Sequence, residues 1–268
     1  MNAGLKLQKK FNEGLHICVG LDTDIKKIPA FLLSSKNPVL EFNKIIIENT
    51  VLHAAAYKIN FAFYEVNGSK GLDNISQTLE LIPKDVLTIA DAKRGDIGNT
   101  SQMYAQSIFD NFQFDAVTLH PYMGFDSLNP FIEYVDKLNF ILALTSNEGA
   151  KDFEKLLLSG SKYLYQQVID TVNSWNKNNN CGIVFGATKL NELEENIHSF
   201  HSMPVLLPGV GAQGGSLEDV AKTFYLHKKN NYLVNISRAL LYIDNSSNLA
   251  INVSKAIKDL NSSIQIYM

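Results

Sequence analysis

Eight short apolar segments recur along the chain, and longer segments with apolar residues at helical spacing separate them. Most of the eight are nearly continuous in Val, Ile, Leu, Ala and Phe, which is typical of parallel strands buried on both faces. The pattern therefore predicts strands at HICVGLD (16–22), AAYKINFAF (55–63), VLTIAD (86–91), DAVTLHP (115–121), FILALTS (140–146), GIVFGAT (182–188), PVLLPGVG (204–211) and YLVNISR (232–238).

The intervening segments predict helices. The segment 216–229 opens with Ser216 and carries Glu218 and Asp219 in its first turn, which is typical of a capped helix start. Other predicted helices are LEFNKIIIENTVLH (40–53), SKYLYQQVIDTVNSW (161–175) and the final LAINVSKAIKDLNSSI (249–264). Eight strand-then-helix units predict an α/β chain that forms one (β/α)8 TIM-barrel domain over residues 1–268. A doubly wound open sheet is the alternative, but it rarely needs eight such regular units.

Composition narrows the function classes. The chain has 268 residues, of which 46% are hydrophobic, and its net charge of −3 predicts neither a nucleic-acid surface nor a polybasic membrane patch. The two cysteines, Cys18 and Cys181, lie in apolar segments and are expected to be core thiols of a reducing compartment. The N-terminus lacks the apolar core of a signal peptide, and no apolar run approaches about 18 residues. We therefore expect a cytoplasmic protein without nucleic-acid or membrane partners.

Polar side chains stand at the carboxyl ends of six of the predicted strands. In a TIM barrel these ends meet at one mouth, where the active site lies. A single such residue is more often part of a structural ion pair or a loop, but six strands with the same feature favour a functional site. The residues are Asp22, Lys58 and Asn60, Asp91 and Lys93, the stretch 145–147, the glycine-rich 208–215, and Ser237 with Arg238.

Four charged residues crowd into positions 91–96, directly after a predicted buried strand. Buried charges cost on the order of several kcal/mol each unless they are paired. Lys58, Asp91, Lys93 and Asp96 can form an alternating row in which each lysine lies between two carboxylates that keep it protonated. The pattern therefore predicts a proton donor held beside fixed negative charge.

The loop PGVGAQGGS (208–216) has the composition of a phosphate-binding turn. Its glycines allow backbone N–H groups to approach an anion closely, and TIM barrels often bind phosphate after strands seven and eight. Arg238, at the end of the eighth strand, can add a bidentate contact. A tight turn next to a surface arginine is the structural alternative.

Six motifs together resemble the orotidine 5′-phosphate decarboxylase family, in its longer-chain branch, over nearly the whole sequence. They are GLDTD, YKINFAFYE, DAKRGDIGNT, LTSN, PGVGAQGG and NISRA. The resemblance implies decarboxylation of orotidine 5′-monophosphate to UMP without a cofactor or a metal, in a homodimer. One position departs from the family, which commonly has glycine where this chain has Ser237.

The resemblance also implies roles for individual residues. Asp22 and Lys58 would bind the ribose hydroxyls beside Asn60, Asp91 would face the substrate carboxylate, and Lys93 would protonate the carbon that loses CO2. Substrate contacts are also expected at the pyrimidine, the phosphate and the partner's site. The residues for these are Ser146, Pro208 and Gln213 at the ring, Gln213, Gly215, Ser237 and Arg238 at the phosphate, and Asp96, Ile97 and Thr100 across the dimer interface.

Two other functions stay open. A metal-dependent sugar-phosphate decarboxylase or synthase of the same barrel superfamily shares D-x-K-x-x-D, but it has an acidic residue on strand two, where this chain has Lys58. A non-catalytic nucleotide-binding barrel would keep Gln213 and Arg238 but would not need the charged row. Five further conspicuous residues are expected to be structural, namely His120 and Trp175, and Tyr57, Phe61 and Phe63 in the core of strand two.

Overall fold

The computed structural model describes residues 2–210 and 215–267. Eight parallel strands pair in sequence order and close into a barrel, which confirms the predicted fold class. The strands are β1 (Ile17–Gly20), β2 (Ala56–Asn60), β3 (Leu87–Arg94), β4 (Ala116–Leu119), β5 (Leu138–Leu144), β6 (Cys181–Phe185), β7 (Val205–Leu207) and β8 (Tyr232–Ile236).

Helices surround the barrel and connect successive strands. Ser216 caps α9 as predicted, because its side chain accepts a hydrogen bond from the backbone N–H of Asp219 at 3.1 Å. The helices are α1 (Ala3–Asn12), α2 (Pro38–Thr50), α3 (Ala62–Glu65), α4 (Gly68–Glu80), α5 (Gly98–Gln106), α6 (Phe125–Ile132), α7 (Leu164–Trp175), α8 (Leu190–Asn196), α9 (Leu217–Leu226), α10 (Arg238–Leu241) and α11 (Leu249–Gln265). Within the described ranges, none of these helices is long and apolar enough to cross a membrane.

The barrel interior is packed, and α1 closes its N-terminal end. Leu7 and Phe11 of α1 belong to the same buried cluster as the barrel residues Cys18 and Phe140. At this end Lys6 also forms a buried ion pair with a carboxylate that precedes β4, with Lys6 Nζ 2.7 Å from Asp115 Oδ1. Within the described residues, the barrel interior is therefore filled at this end.

The structure corrects the extent of the second strand. β2 ends at Asn60, and the chain then turns into α3. Tyr57 and Phe61 are buried as predicted, but Phe63 lies on α3 and is 37% exposed, so its prediction as core is wrong. Trp175 has the predicted packing role, since its ring lies 5.4 Å from that of Phe125.

The pairing of β3 with β4 is irregular beside the mouth. Ala90 pairs with Val117, and the next pair is Arg94 with Leu119, so residues 91–93 of β3 face Thr118 alone. Lys93 has a φ of 46°, in the left-handed region that non-glycine residues seldom adopt. This bulge allows Asp91 and Lys93 to meet at the mouth of the barrel.

Candidate active site

A cavity of about 350 Å³ opens at the C-terminal mouth of the barrel. Its volume lies within the range of small-molecule sites. The sequence-predicted residues that line it are Asp22, Lys58, Asn60, Asp91, Lys93, Ser146, Pro208, Ser237 and Arg238. The structure therefore brings together side chains on β2 and β3 with side chains that follow β1, β5, β7 and β8.

A compact charged cluster forms one side of the cavity. Lys58 is 4% exposed, and its Nζ lies 2.8 Å from Asp91 Oδ2 and 3.4 Å from Asp22 Oδ1. The other oxygen of the same carboxylate, Asp91 Oδ1, lies 2.6 Å from Lys93 Nζ. Lys58 and Lys93 thus both contact Asp91 at the mouth, as the sequence predicts.

The cluster is held in its charged form. Burial opposes the charged ammonium of Lys58, but the Asp91 and Asp22 carboxylates outweigh burial and raise the pKa of Lys58 above its usual value. Burial likewise opposes the charged carboxylate of Asp91, but Lys58 and Lys93 hold the pKa of Asp91 well below its usual range. An ionised Asp91 therefore lies between two ammonium groups at neutral pH.

Asp96 does not complete the row within one chain. In the described part of the chain it forms no ion pair, and its Oδ1 accepts a hydrogen bond from the backbone N–H of Ile97 at 2.8 Å. The chain leaves the barrel after β3 and begins α5 at Gly98, so Asp96, Ile97 and Thr100 do not line the cavity. Among the described residues of one chain Lys58 has two carboxylate neighbours, Asp22 and Asp91, and Lys93 has one, Asp91, so a second carboxylate beside Lys93 stays a prediction.

The predicted phosphate end is partly described. Gln213 lies outside the described residues, and the N–H of Gly215 donates to the carbonyl of Gly209 at 3.2 Å. Arg238 begins α10, borders the cavity with an exposed side chain, and forms no ion pair within residues 2–210 and 215–267. Its guanidinium is therefore available to an anion.

Ser237 packs against β1 at the predicted phosphate end of the cavity. Its Oγ accepts a hydrogen bond from Asn235 Nδ2 at 3.3 Å. The hydroxyl lies against β1, because a Cβ on Gly20 would be 2.0 Å from Ser237 Oγ. An alanine at position 20 would therefore force Ser237 or β1 to shift.

The inner wall of the cavity is formed by residues that are not among those predicted from the sequence. Thr118, Asn235 and the apolar side chains of Leu142, Val184 and Leu206 line it. The alternation of inward and outward positions on each strand could have identified them, since Thr118 is two residues after the inward-facing Ala116. Sequence alone lacked the registers that bring these strands together.

The loop after β1 is fixed by buried hydroxyl groups. Tyr242 OH donates to the carbonyl of Asp22 at 3.1 Å and accepts from the backbone N–H of Asp24 at 2.8 Å. Tyr64 OH donates to the carbonyl of Leu21 at 3.0 Å. These contacts hold the Asp22 carboxylate beside Lys58.

A cation already occupies the position that a metal ion would need in this cluster. Lys58 Nζ lies between the Asp22 and Asp91 carboxylates and contacts both. A divalent ion bound to the same oxygens would have to displace the ammonium group or tolerate its repulsion. The donor set therefore does not fit a magnesium ion.

Known proteins with similar sequences show the family of this chain. The sequence profile described as "Orotidine 5'-phosphate decarboxylase / HUMPS family" matches residues 15–249. A relative from Christiangramia forsetii, named orotidine 5'-phosphate decarboxylase, is 50% identical over 233 residues, which cover 86% of this chain and 85% of the relative. A relative of the same name from Porphyromonas gingivalis is 46% identical, over 86% of this chain and 84% of its own length.

Solved structures extend the comparison to the fold. The structure of Leishmania donovani OMP decarboxylase superposes with a TM-score of 0.83 at 33% identity and covers 99% of this chain and 100% of that chain. A putative orotidine-monophosphate-decarboxylase from Toxoplasma gondii gives a TM-score of 0.84 at 30% identity, over 98% of this chain and 96% of that chain. This chain, which has the charged cluster at the mouth of its barrel, therefore belongs to the orotidine 5′-phosphate decarboxylase / HUMPS family.

Proposed function

We propose that this protein decarboxylates orotidine 5′-monophosphate to UMP, the last step of de novo UMP synthesis, and that it needs neither a cofactor nor a metal. The observation that carries the proposal is the ionised Lys58–Asp91–Lys93 cluster at the mouth of a cavity large enough for a nucleotide. Family membership supports the same reaction.

The cavity residues suggest how the nucleotide binds. Asp22 and Lys58, with Asn60 beside them, offer acceptors and a donor to the ribose hydroxyls. At the other side Arg238, with backbone N–H groups near Gly215 and Ser237, binds the phosphate. Ser146 faces the edge of the pyrimidine and Pro208 borders the ring. Gln213 lies outside the described residues, and its contact with the ring and the phosphate rests on the family resemblance alone.

Electrostatics then drives the reaction. The substrate carboxylate lies against Asp91, and two such charges at about 4 Å repel by about 4 kcal/mol at an effective dielectric near 20. The C6–carboxyl bond breaks, CO2 leaves, and the electron pair that stays on C6 is stabilised by the Lys93 ammonium. Lys93 Nζ then gives its proton to C6 to form UMP and regains a proton from water.

We also infer a homodimer in which each chain completes the site of the other. Asp96, Ile97 and Thr100 do not line the cavity of their own chain, and Ile97 is 57% exposed. Met103 on α5 and Tyr122 after β4 are large apolar side chains that are exposed as well, which favours a covered surface. In the dimer Asp96 would reach the partner's site and supply the second carboxylate that Lys93 lacks within its own chain.

Mixing two inactive variants tests the shared site. Lys93→Ala and Asp96→Ala homodimers are each expected to be inactive. After subunit exchange at equal amounts, half of the dimers are mixed and each has one intact site, so about a quarter of the wild-type activity should return. Mixing without any recovery, under conditions where exchange is shown to occur, would contradict the shared site.

The reaction itself is tested by the loss of orotidine 5′-monophosphate absorbance with EDTA present. Wild type should turn over, and Lys93→Ala should lose nearly all activity while keeping its circular dichroism spectrum. EDTA-sensitive activity on a sugar phosphate would instead favour the metal-dependent alternative. UMP binding without any decarboxylation would favour the nucleotide-binding barrel.

The rest of the molecule fits one cytoplasmic domain. The eight strands extend from residue 17 to residue 236, and we infer that the whole chain forms a single decarboxylase unit. Cys18 and Cys181 are buried free thiols, which a reducing compartment preserves.

A further inference from the structure

We propose that Thr118 is a positioning residue for this reaction, because its hydroxyl group fixes Asp91 and Lys93 relative to each other. The inference rests on the proposed roles of those two residues. Thr118 is on β4, is 2% exposed, and lies opposite the bulge of β3. It has no place in the sequence prediction of the site.

Two hydrogen bonds connect Thr118 to the catalytic pair. Its Oγ1 donates to Asp91 Oδ1 at 2.9 Å and accepts from the backbone N–H of Lys93 at 3.1 Å. The direction of both bonds is fixed by chemistry, since an ionised carboxylate can only accept and an amide N–H can only donate. The hydroxyl proton therefore points to Asp91.

These bonds close a ring around the catalytic lysine. Lys93 is bound to Thr118 through its backbone N–H, Thr118 is bound to Asp91 Oδ1, and the same oxygen accepts from Lys93 Nζ at 2.6 Å. Both ends of Lys93 are thereby held against one carboxylate oxygen. The Asp91 carboxylate cannot rotate without breaking a bond to Thr118, Lys93 or Lys58.

The bulge explains why a side chain is needed here. The regular pairing of β3 and β4 skips residues 91–93, so the strand ladder gives no backbone partner to Lys93 N–H. The Thr118 hydroxyl takes that position and stabilises the left-handed backbone of Lys93, a conformation that costs on the order of 1–2 kcal/mol. Without the hydroxyl, the loop is free to relax to a conformation that moves Lys93 Nζ.

Paired substitutions separate the hydroxyl group from packing. Thr118→Val keeps the shape and removes the hydroxyl, whereas Thr118→Ser keeps the hydroxyl and removes the methyl. Thr118→Ala and Thr118→Ser form a second pair, because these two side chains differ only in the hydroxyl group. This pair keeps the test usable if the valine variant folds poorly. Each variant is measured for steady-state turnover of orotidine 5′-monophosphate, for UMP affinity and for thermal unfolding. Wild type and Lys93→Ala are the active and inactive references in the same assay.

The hydroxyl is expected to control kcat. Thr118→Val and Thr118→Ala should lose about 10- to 100-fold in kcat, since a displacement of about 1 Å at a reacting group has effects of that size. Thr118→Ser should stay within about threefold of wild type, and all variants should keep KM and UMP affinity within about threefold, because the ribose and phosphate contacts are on other strands.

Two results would overturn the proposal while leaving the decarboxylase function intact. One is a Thr118→Val variant with wild-type kcat, in an assay where Lys93→Ala is inactive. The other is an equal loss of kcat in the serine and alanine variants, which would show a packing role only. A wild-type chain that does not turn over orotidine 5′-monophosphate would overturn the proposed function and the role of Thr118 together.

Discussion

Replacing Asp91 by asparagine tests the central electrostatic argument. The change keeps the size of the side chain but removes the negative charge between Lys58 Nζ at 2.8 Å and Lys93 Nζ at 2.6 Å. Two effects follow. The substrate carboxylate no longer meets a like charge, and the two ammonium groups lose the partner that they share.

These contacts predict the size of the losses in kcat and in the free energy of unfolding. Removal of a repulsion of about 4 kcal/mol between Asp91 and the substrate carboxylate predicts a decrease in kcat of about 1,000-fold or more. Affinity for UMP, which has no carboxylate, should change by less than about tenfold. Lys58 stays buried with only Asp22 at 3.4 Å, and loss of one partner of a buried ion pair predicts a decrease of about 3–5 kcal/mol in the free energy of unfolding.

Three measurements on Asp91→Asn separate these effects. Absorbance decay of orotidine 5′-monophosphate gives kcat, calorimetric titration gives the UMP affinity, and urea unfolding gives stability. Asp85→Asn is the matched control, because it removes a carboxylate from an exposed pair with Lys9, 3.9 Å apart and outside the cavity. That variant should match wild type in all three measurements.

Two outcomes for Asp91→Asn would refute the argument. A kcat above about a tenth of the wild-type value would show that the Asp91 charge contributes little to the reaction. A loss of UMP affinity as large as the loss of kcat would show that Asp91 acts mainly in nucleotide binding.

Two further predictions concern buried groups outside the reaction. Burial lowers the pKa of His16 to about 4 from an ordinary value of 6.5, so the unfolded chain binds a proton there before the folded chain does as pH falls. The free energy of unfolding should therefore decrease by about 3 kcal/mol between pH 6.5 and pH 4, measured by urea unfolding, and His16→Phe should lack this contribution. Gly20→Ala should destabilise the protein by about 1–3 kcal/mol, because its Cβ would lie 2.0 Å from Ser237 Oγ. Adding Ser237→Gly should restore most of the thermal stability lost in Gly20→Ala, whereas simply additive effects of the two changes would contradict the close contact.

The sequence predicted the barrel and much of the site because both depend on local patterns. Continuous apolar segments identified the strands, and charged residues at the segment ends identified Lys58, Asp91 and Lys93. Strand alternation could have placed Thr118 on the inner wall, but its contacts with Asp91 and Lys93 depend on the irregular register between β3 and β4, which no local pattern encodes. Spacing alone allows Asp96 to continue the row of its own chain, and only the family resemblance implies that it serves the partner's site, because spacing does not show that the chain turns away after β3.

The closure of the barrel by α1 has a consequence for the order of events in each turnover. Within residues 2–210 and 215–267, Leu7 and Phe11 fill the end opposite the cavity, so the described barrel interior opens at the C-terminal mouth and not at that end. Carbon dioxide released beside Asp91 must diffuse out by the route that the nucleotide used to arrive. A molecule lodged at that opening would therefore delay the departure of both products as well as exclude new substrate.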